Sequence, residues 1–207
     1  MNPFSSRVLE YDRWFEENRD IYRAELEAVR LHLPRDSTPS LEVGVGTGRF
    51  AAPLGVEVGL DPSLEMLHVA KRRGIGPVVG VGENLPFSSG SLALVLAVTT
   101  LCFCRNPFLV LEEMRRVLKR GGRAVVSIID RDSPLGSLYE KKRERSPFYG
   151  HAVFLGAGEL FEMMEAAGFV NLESSQTLFG TALEEVSTEV REGSGDGGFA
   201  VVSGVKG

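Results

Sequence analysis

Residues 40–48 read Ser-Leu-Glu-Val-Gly-Val-Gly-Thr-Gly, a short apolar stretch that runs into three alternating glycines. We expect Leu41–Val43 to form a strand that feeds this glycine loop. Glycine lacks a Cβ atom and tolerates positive φ angles, so a ligand can approach such a loop closely. In an open parallel sheet, ligands bind beyond the carboxyl ends of the strands. The stretch therefore predicts the first strand and the ligand loop of an α/β fold.

The spacing of the glycines separates classes of nucleotide ligand. Gly44, Gly46 and Gly48 follow the pattern G-x-G-x-G, whereas a dinucleotide-binding loop would need glycine at the position of Arg49. A phosphate loop of the Walker type is also absent, because no glycine directly precedes a lysine. Asp61 follows the next predicted strand, where a carboxylate can accept hydrogen bonds from both hydroxyls of a ribose. These features favour a nucleoside ligand that is not a dinucleotide.

Strands and helices alternate along the rest of the chain. The predicted strands are Leu41–Val43, Glu57–Leu60, Pro77–Gly80, Leu92–Val98, Ala124–Ile129, Phe169–Ser174 and Phe199–Val205. The predicted helices are 14–33, 63–73, 106–121 and 159–167. Alternation of this kind implies a parallel sheet with helices on both faces. We expect an α/β, Rossmann-like, doubly wound fold whose seven-stranded sheet is mostly parallel, with an antiparallel last strand.

Composition and length limit the class of protein. With 207 residues and no break in composition, we expect one domain over 1–207. Within it, 1–35 is a helical segment, 36–130 the cofactor-binding core and 131–156 a cap over the substrate. A net charge of −5 argues against nucleic-acid partners, which are bound through phosphate neutralisation. We expect a monomer or a homodimer.

Two further features bear on location and redox state. The chain has no apolar run near the roughly 20 residues of a membrane span, and it begins with polar and aromatic residues unlike a signal peptide. A cytoplasmic protein without membrane partners is therefore expected. Cys102 and Cys104 are expected to be reduced thiols, with no structural disulfide and no metal site.

Four motifs in order resemble those of the class I S-adenosylmethionine-dependent methyltransferases. They are Glu42-x-Gly44-x-Gly46-x-Gly48, Gly59-Leu60-Asp61-Pro62-Ser63, Leu85-Pro86-Phe87 and Arg116-Val117-Leu118-Lys119-Arg120-Gly121-Gly122-Arg123. The match covers about residues 40–129 and is most similar to the small-molecule branch that includes quinone-biosynthesis enzymes. The resemblance implies S-adenosylmethionine as cofactor. It also implies in-line transfer of a methyl group to nitrogen, oxygen or carbon of a small acceptor.

The resemblance assigns the cofactor to the glycine loop and the second strand. It implies that Glu42 holds the methionyl amino group through water. The backbone of Gly44 and Gly46, in the loop that Gly48 completes, would pack against the methionine and ribose portions. Asp61 would bind the ribose hydroxyls.

A second group of residues would complete the cofactor site: Pro62, Met66, Gly82, Glu83, Val98 and Thr99. By resemblance, the first two flank the adenine, the next two offer backbone groups to its edge, and the last two line the sulfonium end. Two departures from the family pattern are Val81, where an acid is frequent, and Leu92-Ala93, where Phe-Asp is frequent. We therefore expect adenine recognition to depend on backbone groups and on Glu83.

The acceptor side offers fewer signals. If the acceptor is an amine or a hydroxyl, a general base helps, and His151 in the predicted cap is the candidate. Its alternative is an ordinary loop histidine, and we expect His32 and His68 to be solvated surface residues. Substrate contacts are predicted for Tyr11, Trp14, Cys102 and Tyr149. The first two could instead be the buried face of a helix, and Cys102 a small core residue.

Three rival functions use the same fold. Asn106-Pro107-Phe108 is similar to the catalytic turn of adenine-specific nucleic-acid methylases, but it lacks a second proline and is explained as a helix start. The glycine spacing opposes a dinucleotide-dependent oxidoreductase. A non-catalytic S-adenosylmethionine-binding protein stays open, because a cofactor site does not establish turnover. The sequence also leaves open whether the acceptor is an amine, a phenolic or quinone-like ring, or a carboxylate.

Overall fold

The sheet of this protein has eight strands in the order β3-β2-β1-β4-β5-β8-β6-β7, in a computed structural model that describes residues 3–207. The strands are β1 Ser40–Val43, β2 Val58–Asp61, β3 Gly76–Val79, β4 Leu92–Val98, β5 Leu118–Ile129, β6 Phe169–Thr177, β7 Arg191–Glu192 and β8 Phe199–Lys206. Neighbours among β1 to β5 pair in parallel, and β8 is antiparallel to both β5 and β6. The predicted Rossmann-like sheet is confirmed. The predicted number of seven strands was wrong, because the prediction missed β7. A strand of two residues is too short to show a periodic pattern.

Eight α-helices surround the sheet in the described chain. They are α1 Pro3–Ser6, α2 Val8–Glu17, α3 Arg19–Arg30, α4 Ala51–Leu54, α5 Leu64–Arg72, α6 Pro107–Val117, α7 Pro134–Lys142 and α8 Ala157–Ala166. The buried strand β4 shows how two layers of helices share one sheet. Val95 and Ala97 join the core that α6 and α8 cover, whereas Leu94, Leu96 and Val98 join the core beneath α3 and α5. Alternate side chains of a strand point to opposite faces, so a continuous apolar run belongs at the sheet centre.

Several predicted element bounds were wrong. The helix expected over 14–33 is two helices, α2 and α3, separated at Asn18, whose side chain donates to the carbonyl of Trp14 at 2.9 Å. The helix expected to reach Gly121 ends at Val117, because Leu118 pairs with Leu92 in the sheet. Pairing between strands outweighs the local helical pattern there.

The segment 131–156, in which no helix was predicted, contains α7. Ser133 caps this helix, since its Oγ accepts the N–H of Gly136 at 2.9 Å, and Pro134 occupies the first turn. Both residue types are typical of a helix start. Among residues 3–207, none of the helices has the length and apolar content needed to cross a bilayer.

His32 corrects a further expectation. The residue is only 6% exposed, and its two ring nitrogens lie 2.9 Å from the hydroxyls of Ser203 and Ser175. Burial lowers the pKa of His32. It therefore joins the end of α3 to β6 and β8 and is not solvated, whereas His68 is exposed as expected.

Candidate functional site

A cavity of about 1610 Å³ lies beyond the carboxyl ends of β1, β2 and β4. Strand order reverses between β1 and β4, which is where open α/β sheets bind ligands. A single small-molecule site typically occupies about 300–1,000 Å³. The cavity therefore has room for two small ligands side by side.

The cavity has two ends that different parts of the chain line. The glycine-loop end is lined by Gly44, Gly46, Asp61, Pro62 and Met66. The rest of the wall, here called the apolar end, is mostly apolar and includes Leu135, Leu178, Leu183 and Phe199, while Glu25, Lys142 and Arg145 are charged residues of the same cavity. Val98 and Thr99, at the end of β4, line the same cavity.

The conformation of the glycine loop explains its residue choice. Gly44 has a φ of +70°, and a Cβ atom there would lie 2.4 Å from the side chain of Thr100. Gly46 has a φ of +52°, and its N–H donates to Asp61 Oδ2 at 3.0 Å. Ser63 N–H donates to the other oxygen of Asp61 at 2.8 Å. Burial raises the pKa of Asp61, while these two hydrogen bonds oppose the rise and fix the carboxylate at the cavity wall.

Glu42 and Gly48 lie behind this wall rather than on it. Glu42 is 2% exposed, and in the described part of the chain its Oε2 atom has no hydrogen-bond partner. Burial is the main cause that raises the pKa of Glu42 well above its usual range, and the charge of Asp61 adds to it. A buried, unsatisfied carboxylate oxygen is costly unless a ligand supplies a donor. Gly48 instead lets α5 approach, since a Cβ atom there would lie 3.3 Å from Ala70.

The turns after β3 and before α6 form another part of the wall, which includes Gly82, Glu83 and the exposed Val81. Glu83 Oε1 accepts the backbone N–H of Arg105 at 2.9 Å, so one carboxylate oxygen is already engaged. Among residues 3–207, no three histidine, cysteine or carboxylate side chains group to hold a metal ion.

The third and fourth sequence motifs support this wall from behind. Arg116 of α6 donates to the carbonyls of Leu85 and Phe87, each at 2.9 Å. Glu113 accepts the N–H of Leu85 at 2.8 Å and pairs with Arg116 at 2.6 Å. The two motifs are therefore joined in space, although about 30 residues separate them in sequence.

Aromatic rings of α1, of α2 and of the segment 131–156 meet over the cavity, and these three parts of the chain are here called the roof. Phe4 of α1 and Tyr11 of α2 lie with ring centroids 5.5 Å and 5.8 Å from Phe148. Tyr11 and Trp14 are half-buried and line the cavity. The predicted N-terminal segment and the predicted cap are thus in contact across the site.

The other predicted acceptor residues have different surroundings. Tyr149 lines the cavity and stacks on Phe103 at 5.8 Å. His151 is exposed and also lines the cavity. Cys102 is a core residue rather than a wall residue, because it packs with Ala152 and its thiol donates to the carbonyl of Thr99 at 3.5 Å.

Asp12 of α2 joins the roof to the glycine loop. Its carboxylate accepts from Arg49 Nε, from Thr47 Oγ1 and from Arg73, each at 2.9 Å. Burial alone would raise the pKa of Asp12, but the hydrogen bonds from Arg49, Arg73 and Thr47 outweigh it and lower the pKa to about 2. Arg49, which replaces the glycine of a dinucleotide loop, thus has a structural role.

Glu25 is a wall residue that sequence reasoning missed. It is half-buried on α3, and burial raises its pKa to about 8. Glu25, Tyr11 and Tyr149 line the same cavity, so the carboxyl of Glu25 shares this enclosure with both tyrosines. The signal in the sequence was an acid on an apolar helix face, three residues after Tyr22 and four before Val29.

Comparisons with known proteins agree with this geometry. Residues 41–126 match the methyltransferase domain family. The chain is 46% identical to an uncharacterised protein of Methanocaldococcus jannaschii over the full length of both. It is similar to the crystal structure of an S-adenosylmethionine-dependent methyltransferase of Thermotoga maritima, described as a possible histamine N-methyltransferase. That similarity has 43% identity, a TM-score of 0.93 and coverage of 99% of each chain. A malonyl-[acyl-carrier protein] O-methyltransferase of Herminiimonas arsenicoxydans is 31% identical over 66% of this chain and 54% of that protein.

Proposed function

The chain belongs to the S-adenosylmethionine-dependent methyltransferases, and we propose that it transfers the methyl group to a small molecule enclosed in the apolar end of the cavity. The cavity of about 1610 Å³ carries the proposal, because it exceeds what one ligand needs and it continues from the glycine loop into an apolar chamber.

For the cofactor, we propose the residues that the sequence indicated at the glycine-loop end. The unsatisfied Oε2 of Glu42, which lies behind the cavity wall, would hold the methionyl ammonium group through water, and the fixed carboxylate of Asp61 fits two ribose hydroxyls. Pro62 and Met66 would flank the adenine, with the backbone of Gly82 at its edge. When bound, S-adenosylmethionine supplies a methyl group that its sulfonium already activates.

For the rest of the reaction, the chain's task is to orient the acceptor and to exclude water. Tyr11 and Trp14 would cover the reacting groups from the N-terminal segment, and Tyr149 from the cap. On this proposal the N-terminal segment 1–35 and the cap 131–156 together cover the cofactor-binding core, residues 36–130. His151 stays a predicted general base, and its place on the cavity wall supports that role.

A methyl-transfer assay tests the proposal. The purified protein would be incubated with methyl-labelled S-adenosylmethionine and separate pools of small amines, phenolic or quinone-like rings, and carboxylates. Histamine is the first single acceptor, because the Thermotoga relative is described as a possible histamine N-methyltransferase. We expect label in at least one small-molecule pool. Label confined to added nucleic acid or protein, or binding without any turnover, would overturn the proposal.

A further inference from the structure

We propose that Glu25 is the acceptor-binding and proton-accepting residue, and that the acceptor is a small primary or secondary amine carried on an apolar body. This inference rests on the proposed function and names the substrate class of the same cavity. It depends on where the carboxyl of Glu25 lies and on which groups surround it.

Glu25 lies on the wall of a cavity that Lys142 and Arg145 also line, but neither of these cations forms an ion pair with it among the described residues. Leu135, Leu178 and Phe199, which line the same cavity, are buried and apolar. Within residues 3–207, no arginine or lysine forms an ion pair with Glu25, unlike Asp12 and Glu113, which have arginine partners. A carboxylate removed from water without a partner is unfavourable. A cationic ligand would supply that partner.

The walls near Glu25 favour the same ligand. Tyr11, Trp14 and Tyr149 present aromatic rings to the cavity, and aromatic faces attract organic cations. Burial raises the pKa of Tyr11 and of Tyr149, and burial also raises that of Tyr22 on the helix of Glu25. These hydroxyls are therefore neutral at pH 7 and add no negative charge that would compete with Glu25 for a cation.

The proposed step balances in protons and electrons. The ammonium form of the acceptor binds to the Glu25 carboxylate, which takes one proton and becomes a neutral carboxylic acid. The amine nitrogen then uses its free electron pair to form the new N–C bond, while the C–S bond of the donor breaks and its electron pair goes to sulfur. The product is a methylated ammonium ion, and Glu25 releases its proton to solvent. A carboxyl whose pKa is raised to about 8 is suited to this exchange near neutral pH.

Calorimetry with matched probes tests this role without turnover. Phenethylamine and 2-phenylethanol share an aromatic body but differ in the ammonium group, and both would be titrated into protein saturated with S-adenosylhomocysteine. We expect the wild-type protein to bind the amine at least tenfold more tightly than the alcohol. Glu25→Gln should abolish that preference while its affinity for S-adenosylhomocysteine stays within twofold of wild type. Glu27→Gln is the control, because this exposed residue pairs with Arg30 at the surface of α3.

The outcomes separate the two proposals. A wild-type protein that binds both probes equally, or a Glu25→Gln protein that keeps the amine preference and the same melting temperature, overturns the role of Glu25. If phenols or carboxylates are then methylated in the activity assay, the small-molecule function still stands. If the amine preference is seen but no small molecule is methylated, the proposed function fails instead.

Discussion

Replacing Asp12 with asparagine tests whether the roof helix α2 is tied to the glycine loop by charge. Asparagine keeps the shape of the side chain but removes the charge that Arg49 and Arg73 share. A pKa that falls from 3.8 to about 2 corresponds to about 2.4 kcal/mol of favourable interaction with the ionised carboxylate. The side chain is 21% exposed, and solvent screening reduces the expected loss to about 1–2 kcal/mol.

The pH dependence of this loss follows from the direction of the shift. Because the pKa of Asp12 is lower in the folded protein, its contribution is complete above the unfolded value and disappears as the pH falls through about 2. At pH 3 about half of the contribution should remain. The difference between wild type and Asp12→Asn should therefore shrink by about half between pH 7 and pH 3.

Urea unfolding followed by circular dichroism measures both quantities. Asp20→Asn is the matched control, because Asp20 pairs with Arg23 at 3.6 Å on the exposed surface of α3 and should change stability by less than about 0.5 kcal/mol. Equal stability of Asp12→Asn and wild type at pH 7 would refute the reasoning. So would a loss that stays constant down to pH 3, since it would then not arise from the ionised carboxylate.

Three further predictions concern the cavity. Asp61→Asn should weaken S-adenosylmethionine binding by about 1–3 kcal/mol in calorimetry with an unchanged circular dichroism spectrum, and unchanged affinity would refute the ribose role. Gly44→Ala should destabilise the protein more than Gly55→Ala in thermal unfolding. The two glycines have similar φ angles of +70° and +73°, but only the substitution at Gly44 places a Cβ atom 2.4 Å from Thr100. Equal melting temperatures would contradict that packing. The raised pKa of Glu25 means that its contribution to stability is complete below the unfolded value of 4.5 and is lost as the pH rises through about 8. Glu25→Gln should therefore gain stability relative to wild type between pH 5 and pH 9 in urea unfolding, and a constant difference would refute this.

The sheet and the cofactor end of the site were predictable because their signals are local. A buried strand such as β4 appears as a continuous apolar run, and Gly44 and Gly46 are needed where the backbone takes positive φ. Asp61 could be placed from its position directly after a predicted strand. Each inference needed only neighbours in sequence and the geometry of one turn.

The errors arose where distant segments decide the outcome. Leu118 left the helical pattern because it pairs with Leu92, and His32 was buried because β6 and β8 bring Ser175 and Ser203 to its ring. None of these three partners lies within 25 residues in sequence, so no local pattern could reveal them.

By itself, the sequence determined the fold class, the family and the methyl donor, because these depend on short motifs in a set order. Only the tertiary structure decided what faces the acceptor. Glu25 becomes a wall residue only when α3 packs on β6 and β8, and the roof exists only when Tyr11 meets Phe148. A pocket assembled from segments more than 100 residues apart is a property of packing, and packing depends on all of those segments together.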